Sequence, residues 1–316
     1  MFINSKHIKK VSEDFTDTRI DYWLKKNFPS FHYFFLCKLI RKGFIKINGK
    51  KCTQHNILKK GDFIRIPDVL SESNSESESE YKIPLGLAKL VKTWIIYKDR
   101  DILIINKPNG LAVQGGTKVK LNLDLLLDAL KFTNSEKPRI IHRLDKDTSG
   151  LLLLARNLKS AKYLSFLFQQ KQIHKLYLAI TYGEVHKNYE KLESNIFQNG
   201  KMYSSVTYYW KLKSNKKFSL LIIRPITGRK HQIRKHLLTK RLQILGDKKY
   251  FIHKNDELNN SKILNLHALY FGYKNLSGEI KQFTADLPLE FINNLKKYDI
   301  EIDSHNIEFD NYLPKV

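Results

Sequence analysis

Cysteine is nearly missing: Cys37 and Cys52 are the only two in 316 residues, and they form no CxxC pair. That speaks against a disulfide framework and suits a reducing compartment. A structural zinc site would need histidine and carboxylate ligands instead, and no such cluster stands out, so no metal is expected. Long apolar runs are missing too. The longest, at 33–37 and 151–155, fall far short of the ~20 residues that span a bilayer. The opening MFINSKHIKK has no apolar core of the secretory kind. A signal peptide is therefore not expected, and the chain reads as a soluble, cytoplasmic protein.

Acidic side chains are also scarce, 31 against 56 basic ones, for a formal charge of +25. A surplus that large favours a polyanionic partner, either nucleic acid or an anionic membrane surface. Lysine is abundant alongside Asn and Ile, as AT-biased coding would also produce, so where the charge lies matters more than its total. Hydrophobic residues make up 42% of the chain, enough to exclude wholesale disorder. The length allows about two domains.

The clearest seam is SESNSESESE at 71–80, which has no apolar side chain to bury. It is expected to be a flexible acidic tether, spanning 69–84, between a small module (15–68) and a large one (85–312). The terminal stretch IEIDSHNIEFDNYLPKV is expected to be peripheral.

In the small module Ile20, Trp23 and Leu24 fall at helical spacing, which buries them and leaves Arg19 and Lys25 outside. Pro29-Ser30 ends this helix and supplies a cap for a second, through Leu36, Leu39 and Ile40, which Gly43 stops. A strand over 44–50 closes in an Asn48-Gly49 turn, and another runs over 63–66. Twelve Lys or Arg lie between residues 18 and 67, against only Asp21 and Asp62 as acids. The runs RIDYWL, LIRKG, IKINGK and KKGDFIRI resemble the αL RNA-binding module. That resemblance implies an α/β RNA-binding domain whose Arg19, Lys38, Arg41, Lys42 and Lys46 reach phosphates.

The large module opens with two strands, 94–97 and 102–105, joined by the polar turn 98–101. Further on, PRIIHRLDKDTSG feeds the apolar run LLLLA, which reads as a strand buried on both faces. Such a loop can hold a reactive group rigidly, and several chemistries fit it. Asp145 and Asp147 could act as paired carboxylates, although alternation would point them apart. They could bind magnesium, although no phosphate loop accompanies them. His142 could be a general base or a structural histidine. Two later segments bear on the choice: the strand His174-Lys175-Leu176-Tyr177-Leu178-Ala179-Ile180, with Tyr177 on the face of Ala179, and a strand at 218–224 running into PITGRKHQIRKH. There a helix is expected to open at Thr227-Gly228, with Arg234 one turn past Lys230.

Taken in order, HRLDKDTSG, KLYLA, RPITGRKHQIRKH, LGDKKY and LHA resemble the RluA family of pseudouridine synthases. The resemblance covers nearly all of the large module. It implies an α+β fold with a mixed, mainly antiparallel sheet and the catalytic loop across its middle. It also implies conversion of uridine to pseudouridine in RNA without a cofactor. Asp145 matches the family's catalytic aspartate and Tyr177 the tyrosine that stacks on the target base. Arg234 matches the basic partner of the aspartate and Arg143 the arginine that fills the place the base has left; Arg229, in RPITGRKHQIRKH, is also expected to bind RNA. AVQGGT at 112–117 resembles the RluC-type branch, which implies large-subunit (23S) ribosomal RNA as partner; separately, a monomer with no membrane and no nucleotide cofactor is expected.

The chemistry accounts for these residue types. Uracil must leave its sugar, rotate, and rejoin through carbon 5, with no atom gained and no redox step. A carboxylate can attack as a nucleophile or remove a sugar proton. A neighbouring guanidinium is expected to keep that carboxylate ionised. Relatives carry Lys-Pro-Ala/Ser-x-Thr where this chain has Tyr203-Ser204-Ser205-Val206-Thr207, so any role for that lysine does not transfer. Two other readings stay open at this point: a non-catalytic ribosome-assembly protein and a base-releasing glycosylase.

Overall fold

The computed structural model describes residues 7–29, 31, 33–71, 83–115, 121–132, 137–198, 200–250, 261–302 and 307–314. It divides into two compact units, Met1–Lys82 and Ile83–Val316. The expected cap at Ser30, the middle of the acidic tether (72–82) and Gly116-Thr117 lie outside the described residues.

The first unit contains β1 (Ile8–Lys10), α1 (Ile20–Asn27), α2 (Tyr33–Arg41), β2 (Lys46–Ile47), β3 (Lys50–Lys51), β4 (Phe63–Arg65) and the short α3 (Asp68–Ser71). Ile20, Trp23 and Leu24 of α1 meet Leu36, Leu39 and Ile40 of α2 in one core, which Ile45, Ile64 and Ile66 complete from the sheet side. Asn48 and Gly49 both take positive φ (48° and 77°), the backbone that a two-residue hairpin turn demands. Two features fall outside the expected limits of 15 and 68. β1 adds an edge strand paired with β4, and Leu70 of α3 is buried in the core. A three-residue strand of Ile and Lys carries too little alternation to be read from sequence.

The second unit follows in the order α4 (Leu85–Thr93), β5 (Ile95–Lys98), β6 (Ile102–Lys107), α5 (Leu123–Leu126), β7 (Arg139–Ile140), β8 (Ser149–Ala155), α6 (Leu158–Gln169), β9 (His174–Tyr182), β10 (Tyr189–Gln198), β11 (Lys201–Ser214), β12 (Phe218–Pro225), α7 (Gln232–Thr239), β13 (Gln243–Ile244), β14 (Leu266–Lys274), β15 (Ile280–Thr284) and α8 (Leu289–Lys297). One eleven-stranded sheet runs β10-β11-β12-β9-β14-β8-β6-β5, with β13, β15 and β7 as side pairings. Among the described residues every pairing is antiparallel except β14 with β8, so the sheet is mixed and mainly antiparallel. All seven residues of β8 are buried, as its unbroken apolar run demands.

Gly150 fixes the start of β8. Its φ is +106°, and a Cβ there would lie 2.3 Å from the Ala268 carbonyl oxygen. The close approach of β14 at this point therefore requires glycine, and it holds the preceding loop at the centre of the sheet.

The C-terminal stretch is not peripheral. Ile300 is fully buried, and Ile307, Phe309, Tyr312 and Leu313 pack on the sheet face that carries Leu176, Ile222 and Tyr270. The Phe309 ring stacks on Tyr270 at 4.8 Å, and Arg224 Nη1 donates to the Tyr312 carbonyl at 2.8 Å. The acidic residues that made the segment look solvated alternate with apolar ones that face inward.

Candidate active site

The opposite sheet face carries a cleft of about 260 Å³, lined in part by Arg143, Asp145, Lys175, Tyr177, His231 and Arg234. Three elements converge there: the loop entering β8 brings Asp145, β9 brings Tyr177, and α7 brings Arg234.

The Asp145 loop is stapled from behind. Lys107, at the end of β6, is wholly buried, and its ammonium donates to the carbonyls of Pro108 (2.8 Å), Leu111 (3.0 Å) and Lys146 (3.1 Å). Burial pushes Lys107 down to about 7, while Asp147 and Asp145 pull the other way. Asn109 Nδ2 donates to the Asp147 carbonyl, and Thr148 N–H donates to that of Asp145 at 3.2 Å. His142 is structural. Its Nε2 accepts from Leu153 N–H at 2.9 Å, its ring stacks on Phe168 at 4.7 Å, and burial drives it down to about 3. A ring so hard to protonate, with Nε2 occupied, is a poor general base. Asp147 is exposed, so it and Asp145 sit in different surroundings rather than as a matched carboxylate pair. Among the described residues, no group of three or more His, Cys, Asp or Glu side chains could hold a metal ion.

The second arm begins later than its sequence suggests. α7 starts at Gln232, and Lys230 lies before it in a turn, because His231 takes left-handed backbone (φ 56°) and breaks the helical run. Gln232 locks this junction: its oxygen accepts from Thr227 Oγ1 (2.6 Å) and Arg229 N–H (3.0 Å). Its nitrogen donates to the Val206 carbonyl and Thr207 Oγ1, both at 2.9 Å. Ser205 and Thr207 are thus held by structure, Ser205 Oγ lying 2.8 Å from His236 Nε2. The Tyr203 ring lies under the Arg229 guanidinium at 4.8 Å.

Arg234 has two partners of unequal strength. Asp247 accepts from its Nε at 2.7 Å and its Nη2 at 2.6 Å, a bidentate pair with both residues almost fully buried. Asp145 stands farther off, 3.7 Å from Arg234 Nη1. Nothing in the sequence around Asp247, within LGDKKY, announces its partnership with Arg234. Arg234 lowers the Asp145 pKa, the direction expected of a neighbouring guanidinium, but it is not the largest influence. Burial comes first and raises the Asp145 pKa, and the attraction of Arg234 only partly offsets it. Asp247 itself lies low despite its burial, because Arg234 and the N–H groups of Tyr250 and Lys249 favour its charge.

Tyr250 completes this second layer. Its ring covers the Arg234 guanidinium at 4.9 Å, and its hydroxyl lies 2.8 Å from His231 Nδ1. His231 Nε2 then faces Asp145 at 3.8 Å. Burial and the nearby cations push His231 down to about 4, so the ring is neutral at neutral pH. Burial raises the Tyr177 phenol, with the Asp145 charge adding to it, so the hydroxyl keeps its proton. Lys175 lies on the same face of β9 as Tyr177, its Nζ 5.5 Å from the Phe168 ring, and burial lowers it to about 8. It has no ion pair among the described residues, and only its place inside KLYLA hinted at it.

The remaining expected contact residues are distributed as follows. Arg143 is exposed at the cleft, 3.5 Å from Gln114 Oε1. Lys38, Arg41 and Lys42 are exposed on and after α2, and Lys46 is half-buried on β2. Arg19 is committed to Asp21, at 2.5 and 3.1 Å, which leaves it less free to meet a phosphate.

A carboxylate facing a guanidinium and a buried phenol, in a cleft at the centre of a mixed sheet, defines a site for acid–base or nucleophilic chemistry on a flat ring. Comparison with known proteins gives the class. Residues 101–239 match the sequence profile of a family described as RNA pseudouridylate synthase. Ribosomal large subunit pseudouridine synthase C of Rickettsia typhi is 35% identical, over 88% of this chain and 96% of the relative. Its namesake in Buchnera aphidicola subsp. Baizongia pistaciae is 34% identical, over 84% and 88%. Among solved structures, human RNA pseudouridylate synthase domain containing 4 is similar, with a TM-score of 0.59 and 28% identity over 69% of this chain and 97% of that one. The chain belongs to the RNA pseudouridylate synthase family, in its RluA branch.

Proposed function

We propose that this protein isomerises specific uridines of large-subunit ribosomal RNA to pseudouridine, as a cytoplasmic monomer, with Asp145 as the catalytic residue. The observation that carries the reading is the meeting of Asp145, Tyr177 and Arg234 in one cleft, from three elements far apart in sequence. The names of the relatives, large-subunit synthases covered over most of their length, support the substrate class.

In this mechanism the target nucleotide leaves its stack, at a cost of a few kcal/mol. Arg143, exposed at the rim, occupies the vacated place, while the Tyr177 ring stacks on the uracil and offsets part of that cost. Asp145 acts as nucleophile or as proton acceptor, and in either role it must be ionised. Arg234 favours that form without closing onto the carboxylate, because Asp247 holds it back. The test is to map pseudouridine in large-subunit ribosomal RNA from cells with and without the gene. Positions that lose the modification on deletion and regain it on complementation are expected; an unchanged map contradicts the reading.

The raised Asp145 pKa adds an expectation about pH. Protonation removes the active carboxylate, so turnover falls as pH drops through that pKa. The acidic limb should therefore lie above the ordinary carboxyl value of ~3.9, with about tenfold loss per unit beneath it. Single-turnover rates across pH check this, and a limb at or below the ordinary value contradicts it.

A further inference from the structure

The first unit carries a row of charge that its fold does not require. By strand register, Ile8 of β1, Arg65 of β4, Lys46 of β2 and Lys51 of β3 stand directly opposite one another across all four strands. They share the face turned away from the helices, since the neighbouring pair Ile64 and Ile47 packs into the core. Three cations thus occupy adjacent strands, an arrangement in which like charges directly opposite destabilise a sheet. In the next row on that face Lys10 pairs with Phe63, a residue 51% exposed, with Lys10 Nζ 5.9 Å from its ring centre. None of these six positions is acidic. Lys10, Lys46, Lys51 and Arg65 have no ion pair or side-chain hydrogen bond among the described residues.

We propose that this sheet face binds an unpaired segment of RNA, with Arg65, Lys46, Lys51 and Lys10 against phosphates and Phe63 under a base. The proposal rests on the protein acting on RNA, and it places a contact surface on the side opposite α2 with its Lys38, Arg41 and Lys42. Charge complementarity selects a polyanion, which relieves the repulsion along the row. The exposed aromatic ring selects an unpaired strand, because a duplex hides the faces of its bases and a single strand offers them for stacking.

The test uses the full-length protein and fluorescence anisotropy at several salt concentrations, with a labelled RNA single strand and a blunt RNA duplex of the same sequence as probes. Combining Lys46→Thr, Lys51→Thr and Arg65→Thr should weaken single-strand binding about tenfold and reduce the salt slope by about 2, near 0.7 for each lost phosphate contact. Its thermal midpoint should hold or rise, because the like-charge row is gone. Phe63→Ser should weaken single-strand binding about fivefold or more and leave the salt slope unchanged. Duplex binding should change much less in both variants. Unchanged single-strand affinity and slope in the triple variant would overturn the proposal, as would equal losses on the two probes. So would a loss that comes with a lower thermal midpoint, since the row would then serve the fold. Pseudouridine formation by the wild type is scored separately: an active enzyme whose triple variant binds normally sinks this surface alone.

Discussion

Asp145→Asn is expected to lower pseudouridine formation by at least ~10³-fold while leaving RNA binding and the thermal midpoint close to wild type. The substitution keeps shape and removes the charge. An amide neither attacks the sugar or base nor takes up a proton, so both routes open to the carboxylate close together. The fold should tolerate it, for two reasons visible in the cleft. Burial already disfavours the Asp145 charge, so losing it removes a desolvation cost. Arg234 also keeps its bidentate partner Asp247 and is not left as an orphaned buried cation. The same variant separates the enzyme from a non-catalytic assembly factor. If Asp145→Asn restored every defect of a deletion strain, the catalytic assignment would be wrong.

Asp247→Leu should be the most damaging change to stability near the site. It strips Arg234, 5% exposed, of two charge-assisted hydrogen bonds and deprives the Lys249 and Tyr250 N–H groups of their acceptor. Breaking one side of a buried pair costs ~3–5 kcal/mol, which in a unit of this size lowers the thermal midpoint by roughly 10 °C. Asp247→Asn is milder and more informative. It keeps an acceptor oxygen but removes a negative charge that, by repulsion, helps to raise the Asp145 pKa. Arg234 then has Asp145 as its nearest acid, the Asp145 carboxylate is favoured, and the acidic limb of the pH–rate profile should move to lower pH. A residue that served only the fold would lower the rate without moving the limb, so an unmoved limb sinks this role for Asp247.

Some parts of this architecture were legible because their residues declare their environment. The run 151–155 had to be a strand buried on both faces, and Tyr177 had to share a face with Ala179. Asn48-Gly49 had to be a tight turn. Arg234 could be matched to Asp145 through long motifs, although the two are far apart in sequence. Other parts were hidden for physical reasons. Asp247 follows Gly246 and accepts hydrogen bonds two and three residues ahead, the pattern of an ordinary turn aspartate, so its grip on Arg234 shows only in three dimensions. Lys107 reads as a strand end, because charge in a sequence suggests solvent and not three buried carbonyls. His231 sits inside a helix-like run, and nothing local announces its left-handed backbone. The terminal segment mixes acids with Ile, Phe and Tyr, and its inward side is defined only by the sheet it covers.

The fate of the uracil ring is the most direct gauge of the mechanism. Purified wild-type protein, incubated with unmodified large-subunit ribosomal RNA transcript, should convert uridine to pseudouridine mole for mole, with no free uracil released and no added metal or nucleotide. Release of free uracil would mark a glycosylase, and RNA recovered unchanged would mark a binding protein; either result contradicts isomerisation through Asp145.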